Sequence, residues 1–425
     1  MEGSFVDDLL LSASYSNLND DADVYYGSNY YYIYDAAWSD GGTSYTWADG
    51  ANSHASTYST VGSNPALDYI HRKEFSVSLR GSFFKKLIST ELTYFNTDMD
   101  GYIIQNPTSY PSHLKTGQGK FSPALNNNIA NRKGLDFSIK AQKQFGQVHA
   151  ELGFVGTYLK TEWKKYDEVA DSKSPWLNSS KQLMHEGTPL DVIQGYRCLG
   201  VYTIDDFNVK TDDNGKTTYT LKEGKYGLGG TVMPGDLKYE DVNGDGTINN
   251  QDQVELGKSG TYGAPWTIGL NLTLKYKNWT LFVLGNGQFG ASALSNGAYY
   301  YMSGTNKYSV NVRDHYQYTY DANGVINGFV NSNATHPRLS AQNTPANGAA
   351  STYWLYSTDR FNLRKVQVTY DFPKEWFEGK WVKALSVYLN GNDLLTISKN
   401  RKIMETSIGY APQTRFYNLG VKVTL

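Results

Sequence analysis

The sequence has 425 residues, room for two or three ordinary domains or one very large β architecture. A formal net charge of −2 and a charged fraction of only 19% give no electrostatic reason to expect nucleic acid as a partner. Aromatic residues reach 14%, with 35 Tyr and 9 Trp beside 41 Gly, which suits strands and polar turns better than helices.

Met1 to Asp8 has neither a basic region nor an apolar stretch of signal-peptide length. The chain is therefore expected to start inside a longer protein. No apolar run approaches the ~20 residues of a transmembrane helix. The mean hydropathy of −0.52 argues only weakly against a membrane location, because alternate residues of a barrel strand face a wet lumen.

Apolar and polar residues alternate with period 2 in segment after segment, a pattern that a helix repeating every 3.6 residues cannot use. Phe75, Val77 and Leu79 alternate with Ser76, Ser78 and Arg80; Leu135, Phe137 and Ile139 with Asp136, Ser138 and Lys140. Ile268, Leu270, Leu272, Leu274 and Tyr276 continue the theme, as do Tyr417, Leu419, Val421, Val423 and Leu425 at the end of the chain. Ten strands are predicted, near 5–16, 74–80, 87–95, 134–142, 148–158, 266–276, 278–287, 361–372, 382–392 and 413–425.

The connections between these segments alternate short and long. A soluble sandwich has no reason to place every long loop at one end, whereas an outer-membrane barrel has tight periplasmic turns and long extracellular loops. The predicted class is thus all-β, an antiparallel transmembrane β-barrel of which about ten strands are present. Residues 159–265 form a long extracellular loop. Tyr276, Trp279, Tyr370, Trp376 and Trp381 lie near strand ends, where amphipathic rings prefer the headgroup interface.

Residues 241–252 follow the order of an EF-hand calcium loop. Asp241, Asn243, Asp245, the Thr247 carbonyl, Asn249 and Asp252 are the oxygen donors, with Gly246 at the tight turn and Ile248 facing inward. Asp252 replaces the usual Glu with a shorter arm. The alternative is an Asx-rich turn that holds no metal. A structural role for calcium fits better than a regulatory one.

Gly285-Asn286-Gly287-Gln288-Phe289-Gly290 spells a dinucleotide fingerprint, but no amphipathic helix follows it, so glycine at the rim of a barrel strand is the expectation. The seven His residues are scattered and no carboxylate pair is fixed across a substrate, so the protein is not expected to be an enzyme. Cys198, the only cysteine, is expected to be buried and inert. Aromatic clusters crowd the long loops: Tyr25, Tyr26, Tyr30, Tyr31, Tyr32 and Tyr34 with Trp38, Tyr45 and Trp47; Tyr299, Tyr300 and Tyr301; Tyr316, Tyr318 and Tyr320; Tyr353, Trp354 and Tyr356. Such rings bind sugars and peptides, although more often they pack a loop rigidly.

Several blocks together resemble the C-terminal part of SusC/RagA-type TonB-linked outer-membrane proteins. They are Pro234-Gly235-Asp236-Leu237-Lys238-Tyr239-Glu240 running into the calcium-type loop, Tyr262-Gly263-Ala264-Pro265-Trp266, Gly187-Thr188-Pro189-Leu190 with Gly195-Tyr196-Arg197, His336-Pro337-Arg338-Leu339, Trp354-Leu355, Phe361-Asn362-Leu363-Arg364 and Asn390-Gly391-Asn392-Asp393. The resemblance implies an integral protein of the cell outer membrane whose complete barrel has 22 strands around a plug domain. It implies TonB-energised import of oligosaccharide or peptide with a SusD-like surface lipoprotein, in contact with membrane lipid and not with nucleic acid. No plug or TonB box is recognisable, so residues 1–425 are expected to be the C-terminal part of such a barrel. The competing expectation is an extracellular glycan-binding or adhesin β-protein with a calcium loop.

Overall fold

A computed structural model describes residues 5–20, 64, 66–104, 108, 111, 123–297, 300–301, 310–340, 344–406 and 412–425, and the backbone of 38–46 and 53–59. The chain divides into two compact units: Met1–Lys143, Glu151–Val169 and Met184–Leu190 in the first, and Gln144–Ala150, Ala170–Leu183 and Asp191–Leu425 in the second.

The first unit holds β1 (Val6–Asp20), β2 (Ile70–Phe83), β3 (Ile88–Ile104) and all but the turn ends of β4 (Leu125–Phe145) and β5 (Val148–Lys165), paired in chain order. The pairings resolved residue by residue are antiparallel, and their register carries the period-2 pattern straight across the strands. Leu11, Leu79, Leu92 and Phe137 form one row, and Ala13, Val77, Tyr94 and Leu135 the next. The opposite face carries Ser12, Ser78, Thr93 and Asp136, then Arg80, Glu91 and Ser138. A one-residue slip would exchange the two faces, so the pattern itself fixes the register. The short connection between β2 and β3 is closed by Phe84, Lys85 and Lys86, all at positive φ.

The second unit repeats this plan with β6 (Trp266–Tyr276), β7 (Trp279–Phe289), β8 (Arg360–Asp371), β9 (Ala384–Ile397) and β10 (Phe416–Thr424), again antiparallel and in chain order. Leu274, Leu281, Val368, Leu389 and Leu419 line up in one row. Thr273, Phe282, Gln367, Asn390 and Asn418 lie in a neighbouring row on the other face. Rows of exposed Leu, Val and aromatic side chains have no stable place in water over such an extent. At the short-turn end Trp279 and Tyr370 lie 4.8 Å apart, Tyr370 meets Phe372 at 5.1 Å, and Phe372 meets Trp376 at 5.8 Å. This is the aromatic girdle expected of a membrane interface.

All ten predicted strands are present, and short and long connections alternate as expected. The largest departures are at the long-loop ends. β1 continues to Asp20, β3 to Ile104 and β5 to Lys165, while β4 begins at Leu125 rather than near 134. Outside the apolar band both faces of a strand are wetted, so apolar alternation stops although the hydrogen-bond ladder does not. The glycine fingerprint lies in and just after β7, with no helix opening on it. A Cβ on Gly285 would stand 2.4 Å from Cζ of Phe361, so the glycine leaves space for a neighbouring strand's ring.

The long connections of the second unit contain short antiparallel ribbons that the sequence pattern did not reveal. Val192–Gly195 pairs with Val254–Lys258, Cys198–Val201 with Leu237–Tyr239, Phe207–Thr211 with Thr217–Leu221, and Ser292–Leu294 with Leu355–Ser357.

Candidate functional site

Met233-Pro234-Gly235-Asp236 makes a tight turn in which the Asp236 amide donates to the Met233 carbonyl at 3.1 Å. Gly235 has φ +85°, a conformation L side chains rarely adopt. The turn delivers the Asp236 carboxylate, 1% exposed, into the interior of the second unit's loops.

There the blocks Pro234–Tyr239, His336–Leu339 and Trp354–Leu355 become one network. Arg338 Nη2 donates to Asp236 Oδ2 at 2.9 Å, while its Nε lies 2.7 Å from Oδ1. Asn347 Nδ2 donates to Asp236 Oδ1 at 2.7 Å, and Asn347 Oδ1 accepts from the Leu237 amide at 2.8 Å. Trp354 Nε1 donates to the Asn347 carbonyl at 2.9 Å, and Tyr318 donates to that of Pro234 at 2.8 Å. Tyr239 donates to the Ala346 carbonyl. Around these bonds Tyr196, Leu237, Tyr239, Ile248, Tyr301, Ala346 and Trp354 form an apolar core. Cys198 packs half-buried against it, and burial pushes its thiol pKa up, which keeps the sulfur protonated and unreactive.

The calcium-type loop hangs from the same core by Ile248, which is 4% exposed as its inward position requires. Asp241 accepts from the amides of Gly244 at 2.8 Å, Asp245 at 3.2 Å and Gly246 at 2.8 Å. Asn243 Oδ1 accepts from the Asp245 amide at 3.1 Å, Asp245 Oδ1 from Thr247 at 3.0 Å, and Asn249 Oδ1 from Gln251 at 2.8 Å. Asp252 is fully buried and accepts from Val242 at 2.9 Å and Asn249 at 2.8 Å. Burial raises its pKa against these amides, which lower it. Asp241 adds a smaller upward push. Among the described residues no three His, Cys, Asp or Glu side chains converge as a metal cluster. The donor set is nevertheless chemically hard: Asp241 Oδ2, Asn243 Oδ1, Asp245 Oδ1 and Asn249 Oδ1 keep a second lone pair beyond the amide hydrogen bond each accepts, whereas Asp241 Oδ1 accepts from both Gly244 and Asp245.

Beside the Trp354 ring opens a cavity of about 1000 Å³. Tyr300, Tyr353, Trp354 and His336 supply rings, and Asn311, Thr335, Lys402, Glu405 and Gln413 supply polar groups. Desolvation lowers the His336 pKa, which keeps the imidazole neutral at neutral pH. Glu405 is held by Arg401 Nε at 2.9 Å and Arg415 Nη2 at 3.3 Å. The volume and the mix of flat rings with a few polar groups are those of a small-molecule or peptide-segment site.

Of the aromatic residues singled out in the sequence, Tyr300, Tyr353 and Trp354 reach this cavity. Tyr301 and Tyr318 are used in packing and hydrogen bonds instead. Tyr25, Tyr26, Tyr30, Tyr31, Tyr32, Tyr34, Trp47 and Tyr299 lie outside the described residues, as do the side chains of Trp38 and Tyr45. Lys402 and Glu405 lie on a helical turn, Arg401–Thr406, inside the last long loop. No periodic signal marks a helix of six residues, so sequence reasoning missed them.

Strands with an apolar face, an aromatic girdle at the short-turn end and elaborate loops at the other define a stretch of outer-membrane β-barrel wall. No family model matches the chain. TonB-dependent receptor P3 of Formosa agariphila is 20% identical over 341 residues, 79% of this chain and 30% of that protein. TonB-dependent receptor P26 of the same organism is 24% identical over 371 residues, 80% of this chain and 31% of that protein. The chain thus spans about a third of the length of these curated relatives. Two solved structures of the RagAB peptide importer, open-open and closed-closed, align over 94% of this chain and 38% of theirs. Their TM-scores are 0.62 and 0.61, at 18% and 17% identity. The chain is thus similar to TonB-dependent receptors over about four fifths of its length, and it shares the outer-membrane β-barrel fold of the RagAB structures. These relatives are receptors and importers, in keeping with the non-enzymatic character expected from the sequence.

Proposed function

We propose that these residues form wall and extracellular loops of an energised importer of oligosaccharide or peptide. The importer works with a SusD-like surface lipoprotein over its outer mouth and draws on the TonB system through a plug. The cavity lined by Tyr300, Tyr353, Trp354 and His336 carries the reading, because it offers stacking surfaces and polar groups within the loops of an outer-membrane barrel. The RagAB structures, described as a peptide importer, support the same class of cargo. Calcium is proposed as a structural ligand of residues 241–252, through Asp241, Asn243, Asp245, the Thr247 carbonyl, Asn249 and Asp252. A soluble adhesin is disfavoured by the rows of exposed apolar side chains on both units.

Uptake of labelled oligosaccharides and peptides by cells carrying the complete receptor tests the proposal. Tyr353→Ala removes one stacking ring, and about a tenfold loss of uptake at unchanged outer-membrane abundance is expected. Unchanged uptake of every cargo class at equal abundance would sink the assignment of this cavity.

A further inference from the structure

On the first unit the apolar face ends abruptly in charge. In β2 the face that carries Phe83, Gly81, Leu79, Val77 and Phe75 continues to Lys73 at the long-loop end. In β3, Leu92 and Tyr94 lead to Asn96 and Asp98; in β4, Phe137 and Leu135 lead to Lys133 and Asn131. Gly156 of β5 faces the Phe137 ring, which puts Lys160, Glu162 and Lys164 on this same face by alternation. Lys73 lies ten residues beyond Phe83, or ~33 Å along the strand, which becomes ~25 Å of height at a barrel tilt of ~40°. That is the height of the apolar band, so the charged belt stands where the outer headgroups begin.

The belt is a connected array. Lys133 lies 2.8 Å from Glu162 Oε1, and Lys160 lies 2.6 Å from Glu162 Oε2. Lys164 lies 2.8 Å from Asp98 Oδ2, whose other oxygen accepts from Asn131 at 2.6 Å. Lys73 lies 3.2 Å from Asp100. Glu162 serves two lysines at once and is itself 18% exposed, whereas the Lys133 and Lys160 side chains are 39% and 46% exposed. Around Glu162 and Asp98 the lysines are therefore the more exposed partners, whereas Asp100 is 40% exposed against 43% for Lys73. The apolar face of the second unit, taken by itself, ends on Trp266, Phe289, Phe361 and Ile397.

We propose that Lys133, Lys160 and Lys164, with Lys73 beside them, bind the phosphorylated headgroup of an outer-leaflet glycolipid. Two features select this occupant: the belt continues the lipid-facing surface without a break, and at headgroup height Lys133, Lys160 and Lys164 are more exposed than the carboxylates that pair with them. Carboxylates behind the lysines hold their long side chains in place, so less conformational entropy is lost when a phosphate arrives. Each cation near an anionic headgroup layer is worth roughly fivefold in binding.

The test uses the complete receptor extracted from outer membranes in neutral detergent and titrated with purified lipid A. Lys133→Ala/Lys160→Ala/Lys164→Ala is expected to weaken binding at least tenfold, and the corresponding triple Arg variant to keep it. Wild-type binding is expected to fall several-fold between 0.1 and 0.5 M salt, and phosphatidylcholine to bind no better to wild type than to the Ala variant. Retention of lipid A by a heat-modifiable triple Ala variant, or salt-independent binding by the wild type, overturns the proposal. Should the triple variant not fold, Lys160→Gln leaves the Lys133–Glu162 pair in place, and unchanged lipid A affinity in it is equally fatal.

Discussion

Arg338 and Asp236, 102 positions apart, meet as a two-point ion pair inside the loops of the second unit. Two separate sequence blocks, Pro234–Tyr239 and His336–Leu339, thereby become one buried structure. Arg338→Met leaves the Asp236 carboxylate buried with only amide donors, and breaking one side of such a pair costs about 3–5 kcal/mol. Native-state hydrogen exchange at Leu237 and Arg338, whose amides donate to Asn347 and to the Gly235 carbonyl, should show protection reduced by that amount. The double variant Asp236→Leu/Arg338→Met should recover a large part of the loss, because neither charge remains to be desolvated. Unchanged protection in the single variant refutes the buried pair.

Asp171 provides a pH-dependent support for the same loop region. Its hydrogen bond from the Lys181 ammonium lowers its pKa to about 2, helped by the amides of Lys173 and Ser174 and opposed by desolvation. A depressed carboxylate contributes stability above its unfolded pKa of ~3.9 and loses it as pH falls toward the folded value. Exchange of the Leu177 amide, which donates to Ser174, should therefore accelerate as pH drops from about 4 to about 2, beyond the intrinsic change. Asp171→Asn should abolish that extra acceleration. If the substituted protein shows the same acid response, Asp171 is not its source.

Gly285 and Phe361 make a packing prediction in the sheet. A side chain at 285 would collide with the Phe361 ring and also approach the Asn362 carbonyl at 3.3 Å. Gly285→Ala should destabilise the folded barrel by about 1–3 kcal/mol in urea unfolding from bilayers. Phe361→Leu, which withdraws the ring, should return part of that loss when combined with it. Additive effects of the two substitutions would show that the ring does not occupy the space above the glycine.

Calcium at residues 241–252 has a separate readout. The Asx hydrogen bonds close the loop by themselves, so chelation should leave the core around Ile248 intact. Millimolar calcium should nevertheless slow proteolysis within the loop several-fold, and Asp245→Asn should reduce that protection by removing one carboxylate. Identical cleavage rates with calcium and with chelator would eliminate the metal.

Much of the wall was legible in the sequence because a membrane sheet is constrained on both faces. β6 at Trp266–Tyr276 appears at the boundaries read from its alternating leucines. Legibility fails where that constraint ends. β4 starts at Leu125 because Asn126, Asn127 and Asn128 extend the ladder without any apolar rhythm. In the loops, Pro234-Gly235 announced a turn, but nothing local announced that Asp236 would seek Arg338. Pairing across 102 residues is set by burial of a core that only the folded loops assemble. The cavity was half visible for the same reason: Tyr353 and Trp354 stood out as a cluster, while Lys402 and Glu405 come from a helical turn too short to show a period.

The outer strands of the ten give the last prediction. β1 pairs only with β2, and β10 only with β9, among the described residues. An edge strand in hydrocarbon leaves backbone N–H and C=O groups without water or a neighbour, each costing several kcal/mol, so only closed barrels are viable there. Leu9 and Leu11 on β1 and Tyr417 and Leu419 on β10 are exposed apolar residues on those outer strands. Residues 1–425 expressed alone are therefore expected not to insert as a closed, heat-modifiable species. Partner strands should restore it, whether supplied by the rest of a receptor or by co-expression as a separate polypeptide. A folded band that shifts on boiling, obtained from residues 1–425 without any other strands, would show that these ten close on themselves.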